Sequence, residues 1–253
     1  VKIILLFICC LISTLGYSQY SEKIVSSRPG KTVNPEVVGS RVFQVQSGIN
    51  ITSIKDDEID RNSYTLNKSI RIGILENFEL IGTIDLKTEN NTTTSSSNSS
   101  GITNTQLGFK YLVTKAQGQL PFIAVQTEFL LPIKNSIVDR ENLGSQLLLI
   151  SDIEFLEQAT FSANIGLLWD GNSTSPSIPF TVQSYFYITD KIGFFYENYG
   201  AFDPFEIYTS IGTSYVLTKN LQLDISSGIE INNQITNWFI ETGVSWRIDW
   251  RNN

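Results

Sequence analysis

The chain has no histidine and no methionine, and its only two cysteines, Cys9 and Cys10, fall within the first ten residues. Without histidine, imidazole acid–base catalysis and imidazole metal ligation are excluded. If the cysteines depart with a leader, no thiolate nucleophile, thiolate metal site or disulfide framework remains. An excess of cations is also absent: 18 Lys and Arg stand against 25 Asp and Glu, a formal net charge of −7. That balance argues against an extended nucleic-acid footprint. Beyond the leader, no apolar run approaches the ~18 residues that mark a transmembrane helix. Such a chain is either soluble or, if it spans a membrane, a closed β-barrel. No motif calls for a cofactor, a metal or an enzymatic role.

The first residues have the layout of an export signal. Lys2 precedes a mostly apolar run from Ile3 to Thr14, and Gly16 and Ser18 are small residues three and one before a cut between Ser18 and Gln19. The run continues past the cysteines to Leu15, which argues against a lipid anchor on them. The expected organisation is a cleaved signal over 1–18, a periplasmic segment or partial plug over 19–40, and an outer-membrane barrel over 41–253. Losing Lys2 leaves 17 basic against 25 acidic residues, a net charge of −8.

What is present, above all, is a period of two. Side chains on a strand point alternately to opposite faces. Phe43, Val45, Ile49 and Ile51 alternate with Gln44, Gln46, Gly48 and Asn50. Leu221, Leu223, Ile225 and Ile229 alternate with Gln222, Asp224, Ser226 and Gly228. The pattern recurs in twelve segments, most of about 10–12 residues, enough to cross a hydrocarbon layer when tilted. The three-and-four spacing of amphipathic helices is missing. The connections alternate strictly between short ones (Glu76-Asn77, Thr114–Gly118, Leu156–Gln158, Thr189–Lys191, Thr218–Asn220) and longer polar ones near 53–62, 88–102, 132–144, 170–178, 200–205 and 231–236. Short periplasmic turns at one rim and longer external loops at the other characterise outer-membrane barrels. The sequence therefore predicts an all-β, closed antiparallel transmembrane barrel of about 12 strands. The Asn/Ser/Thr tract from Asn90 to Ser100 reads as a mobile external loop.

Alternation alone does not say which face meets water. Long strands, twelve apolar stripes and many small residues on the polar face favour lipid outside and a crowded polar lumen. Lys68 falls on the apolar face, which implies a register shift, a bulge or snorkelling. Leu112, Leu148 and Ile150 fall on the polar face, as an internal apolar patch or a miscount. The candidate lumen charges are Arg71, Asp85, Lys110, Glu128, Asp152, Glu154, Glu197, Asp224, Glu230, Glu241 and Arg247. Either they pair and fill the barrel, or some line a solute path and bias it by charge. Asp152, Glu154, Glu197 and Asp224 lie near short turns, where they could ring the periplasmic mouth.

Several stretches, in order, are similar to one known family. They are Arg28-Pro29, Gln44–Gly48, Leu107–Tyr111, Leu131-Pro132, Tyr187–Asp190, Glu197–Gly200, Leu217–Asp224 and Trp238-Phe239 with Gly243–Arg247. Together they resemble the outer-membrane barrel family labelled "putative MetA-pathway of phenol degradation", over about Arg28 to Ile248. Gly30 and Gln46 depart from its pattern, where acidic residues are common. The resemblance implies a barrel and uptake of small hydrophobic or aromatic solutes, with no catalytic residues. Glu241, Gly243, Trp246 and Ile248 in the last strand also resemble the signal read by the barrel-assembly machinery. The expected partners are outer-membrane lipid, that machinery and a small solute. The leading reading is a channel or transport-related barrel. The alternatives are a sealed barrel acting through external loops 88–102 and 132–144, a membrane hydrolase without histidine, and a secreted soluble sandwich.

Overall fold

The computed structural model describes residues 21–55, 60–92, 97–115, 120–203, 205–231 and 236–252. The expected signal segment lies outside the described residues. Fourteen strands follow one another: β1 Val42–Lys55, β2 Asp60–Leu75, β3 Phe78–Asn91, β4 Ser97–Thr114, β5 Phe122–Leu130, β6 Ile133–Lys134, β7 Asp139–Arg140, β8 Gly144–Leu156, β9 Ala159–Trp169, β10 Pro179–Tyr187, β11 Ile192–Phe202, β12 Phe205–Thr218, β13 Leu221–Glu230 and β14 Thr236–Asp249. Twelve of them close an antiparallel barrel, in which β1 pairs with β14. The remaining two, β6 and β7, form a small hairpin within the connection from β5 to β8.

The closure pairs Val42 with Asp249, so both ends of the barrel wall lie at the rim of the short turns. Leu75 and Phe78, Leu156 and Ala159, and Thr218 and Leu221 face each other across such turns. The opposite rim is taller on one side. β2, β3 and β4 run for 16, 14 and 18 residues, well beyond the roughly 9–11 that span a bilayer. The expected mobile loop at 88–102 is therefore corrected for its described arms, 88–91 and 97–102. Thr88↔Ser100, Asn90↔Asn98 and Asn91↔Ser97 continue the β3–β4 ladder, and Thr88 Oγ1 and Ser100 Oγ share a hydrogen bond of 3.1 Å. That hydroxyl pair and the backbone ladder order the two arms of the tract, which have no apolar surface to bury; residues 93–96 between them lie outside the described residues.

The faces point as lipid outside requires. Ile49, Leu107, Ile211 and Ile225 are all at least half exposed, while Gln44, Gln46, Ser210, Gln222 and Ser245 on the opposite face are buried. Lys68 is also outside. It pairs with Ser47 and Ile84 in unbroken register; the bulges lie elsewhere, at Gly73/Leu75 and Asp85/Leu86. Of the three readings of Lys68, snorkelling on its long stem is the one left. Leu112, Leu148 and Ile150 do point inward. With Ala124 they make a buried apolar cluster, against which Val33, Val37 and Phe122 pack. The patch exists because residues from before the barrel come inside to cover it.

Candidate functional site

Residues 21–41 form neither helix nor strand, yet they are not below the barrel; they enter its lumen from the short-turn side and return to the same rim, where Ile24 N donates to Lys219 O and Arg41 N to Gly73 O. A backbone without a ladder needs partners for its polar groups when it is taken out of water. Here the lumen supplies them from strands all around the wall. Gln44 on β1 donates to Val25 O, Asn164 on β9 exchanges hydrogen bonds with both Val33 N and Val33 O, and Gln222 on β13 donates to Arg28 O. Arg247 on β14 donates to Ser21 O and Glu22 O.

Three charged clusters anchor this segment. In the first, the Arg28 guanidinium lies 3.0 Å from Asp224 Oδ1 and 2.5 Å from Glu241 Oε1. It rests on a floor of two paired glycines, Gly48 and Gly243; a Cβ on either would overlap the guanidinium. Burial alone works against the Arg28 charge, but Glu241 and Asp224 outweigh it and hold its pKa above the ordinary value. In the second, fully buried Glu197 accepts from Lys31 N, Thr32 N and Thr32 Oγ1 of the segment, and from Ser210 Oγ of the wall. In the third, Arg71 and Lys110 flank Glu79 at 2.8 and 3.4 Å, all three buried. This triad reaches the segment as well: Val38 N donates to Glu79, Arg71 to Glu36 O, and Lys110 to Asn34 O. Buried charges of this kind persist only when paired and hydrogen-bonded.

Where the segment does not touch the wall, a cavity of about 600 Å³ remains on the short-turn side. Phe122, Asp152, Glu154, Tyr185 and Tyr187 line it, with Glu36 of the segment. Burial pushes the Glu36 carboxyl up; Lys110 and Arg71 pull it down by less, and Glu154 adds to the rise. Among the described residues, no group of three or more His, Cys, Asp or Glu side chains could hold a metal ion.

The sequence candidates are thus distributed unevenly. Arg71, Lys110, Glu197, Asp224, Glu241 and Arg247 are buried and engaged with the segment. Glu128 is buried beside Gln126, at 3.1 Å, and Asp85 accepts from Asn67 and Asn104. Glu230 lies near the long-loop rim, where Asn237 donates to it. Asp152 and Glu154 open onto the cavity at the mouth, whereas Glu197 and Asp224 do not ring it: the segment covers them. In the last strand, Glu241 faces inward, Trp246 outward, and Gly243 sits under Arg28. Arg28, Lys31, Glu36 and Glu79 were not among the candidates. One signal pointed to the missing cations: the candidate wall charges hold far more acids than bases.

The family model described as "Putative MetA-pathway of phenol degradation" matches residues 26–248. The chain belongs to this family. Its match includes the in-barrel segment from Ser26 onward as well as the wall. No curated protein sequence matches the chain. Among solved structures, an outer-membrane channel of the COG4313 group from Pseudomonas putida F1 is similar at a TM-score of 0.64 and 10% identity, covering 87% of this chain and 100% of that one. The NanC porin is similar at 0.53 and 10%, covering 80% and 100%. The translocator domain of the autotransporter NalP from Neisseria meningitidis is similar at 0.53 and 11%, covering 83% and 89%. These likenesses are of fold. With the family and the apolar outer face, they place the chain in the bacterial outer membrane, with lipid around the barrel.

Proposed function

We propose that the protein is a passive channel for small solutes whose lumen is closed at rest by its own residues 21–41. The observation that carries this reading is the segment's attachment. It is held by side chains and ion pairs rather than by strand pairing with the wall, so it can leave without breaking the barrel. A permanently sealed barrel would more simply fill its lumen with wall side chains. Inward-facing Tyr185, Phe195, Tyr199, Tyr208 and Phe239 give the path aromatic faces, and Tyr199 and Tyr208 stack at 5.2 Å. Such faces suit the hydrophobic or aromatic solutes that the family label suggests. The role is transport without chemistry, and no cofactor is involved. The last strand, with Glu241, Gly243, Trp246 and Ile248, serves as the assembly signal.

A second reading is a sealed barrel that acts through its loops. The fully engaged segment favours it, as does the tall hairpin of β3 and β4. Planar-bilayer recording separates the two. The channel reading expects rare openings from the full chain and sustained current once the segment's anchors are removed. A barrel that stays silent in both forms, with no solute flux in liposomes, belongs to the second reading.

A further inference from the structure

The two sides of the lumen are neutralised differently. Around β2–β4, the buried acid Glu79 meets Arg71 and Lys110, both from the wall itself. Around β11–β14, buried Glu197, Asp224 and Glu241 pair, among the described residues, with no basic side chain of the wall. Glu197 is met by backbone and hydroxyl donors, and the cations of the other two come from the segment: Arg28 to Asp224 and Glu241, and Lys31 Nζ at 3.4 Å to Glu241. The seat is also shaped for such a group. The paired Gly48 and Gly243 leave a flat floor that any side chain would fill. Two carboxylates meet the guanidinium edge, and Asn50 donates to Glu241 and helps to fix it. Phe239 presents its ring 5.7 Å from Lys31 Nζ, a cation–π distance. Asp224 and Glu241, buried carboxylates that pair with no cation of the wall, are complete only when a cation from elsewhere reaches them.

We infer that the face formed by Asp224, Glu241, Gly48 and Gly243 is a binding seat for guanidinium and primary ammonium groups, which Arg28 occupies as a tethered ligand. When the segment leaves, a small organic cation takes the same place, so the open lumen favours cationic over anionic solutes. This inference rests on the channel reading for its physiological use, but the seat itself is tested without any current.

Arg28→Ala empties the seat. In the full chain in detergent micelles, methylguanidinium at millimolar concentration is expected to raise the melting temperature of R28A by at least ~3 °C. Melting is read as the loss of heat-modifiable electrophoretic mobility. The neutral isostere methylurea should leave it unchanged, as should methylguanidinium with the wild type, whose seat is filled, or with R28A/D224N. Should R28A refold poorly, the yield of heat-modifiable barrel with and without the probe gives the same comparison. No stabilisation of R28A by the probe, or equal stabilisation of R28A/D224N, overturns the seat. Bilayer silence of R28A while the rescue succeeds counts against the channel reading and leaves the seat standing.

Discussion

Gly48→Ala should release the segment without harming the barrel. Gly48 faces the lumen in β1, between its partners Gly243 and Asn67. A Cβ there would overlap both terminal nitrogens and the central carbon of the Arg28 guanidinium. The guanidinium cannot simply slide, because Asp224 and Glu241 hold it from the other side. Displacing it removes charge-assisted hydrogen bonds worth about 1.5–3 kcal/mol each. It also leaves Asp224 buried without its donor, and breaking a buried pair in this way costs about 3–5 kcal/mol. The wall, by contrast, gains slightly, since alanine is better than glycine in a strand by ~0.5–1 kcal/mol. A docking loss of about 3–5 kcal/mol multiplies the undocked population by roughly a hundredfold to several thousandfold. Trypsin reads this directly, because Lys23 and Lys31 lie in the segment, whereas the Arg28-Pro29 bond resists it. Cleavage at these sites should accelerate in proportion to that population while the barrel keeps its heat-modifiable mobility. Gly82→Ala is the control, since its Cβ would meet nothing nearer than a Leu107 methyl at 3.7 Å. Equal cleavage of G48A and wild type would refute the reasoning.

Other consequences can be checked on the same preparation. Glu36 has a raised pKa, so the stability it permits is fully present below the ordinary carboxylate range and is lost as pH rises through the raised value. Glu36→Gln should therefore melt above wild type at neutral pH, with the difference vanishing near pH ~4. Ile150 is fully buried in the inner apolar cluster. Ile150→Ala should cost about 2–4 kcal/mol in urea titrations of the folded barrel, and it should loosen the segment through Val33 and Val37; a neutral result would place the cluster outside the stability balance. Lys68 faces lipid and its stem carries the charge toward the interface, so Lys68→Leu should stabilise the barrel in bilayers by little, and not by the roughly 2–4 kcal/mol that a charge held at midplane would cost. Refolding equilibria in liposomes distinguish the two.

The barrel was legible because the period of two is a local property. Val42–Lys55 and Leu221–Glu230 state their faces in the residues themselves, and the short turns mark one rim. The direction of the faces was also within reach, since twelve apolar stripes exceed what one closed core can hold. The path of residues 21–41 was not legible. Nothing periodic orders them, and their conformation is set by donors and acceptors on eight strands that are distant in sequence. The inward Leu112, Leu148 and Ile150 looked anomalous for the same reason, since their cover, Val33 and Val37, comes from that segment. The extension of β3 and β4 into an Asn/Ser/Thr tract was missed because backbone pairing, rather than burial, holds it. The excess of acids on the candidate wall was the one sign that cations had to come from elsewhere.

Everything rests on which face of the sheet meets hydrocarbon. A chain retaining Trp246 as its only tryptophan reports on this, because Trp246 points outward between Val45 and Leu221 and is 44% exposed in the isolated barrel. Reconstituted in bilayers with brominated acyl chains, it should lose most of its fluorescence to bromine and little to aqueous acrylamide. Strong acrylamide quenching with no response to bromine would contradict the account.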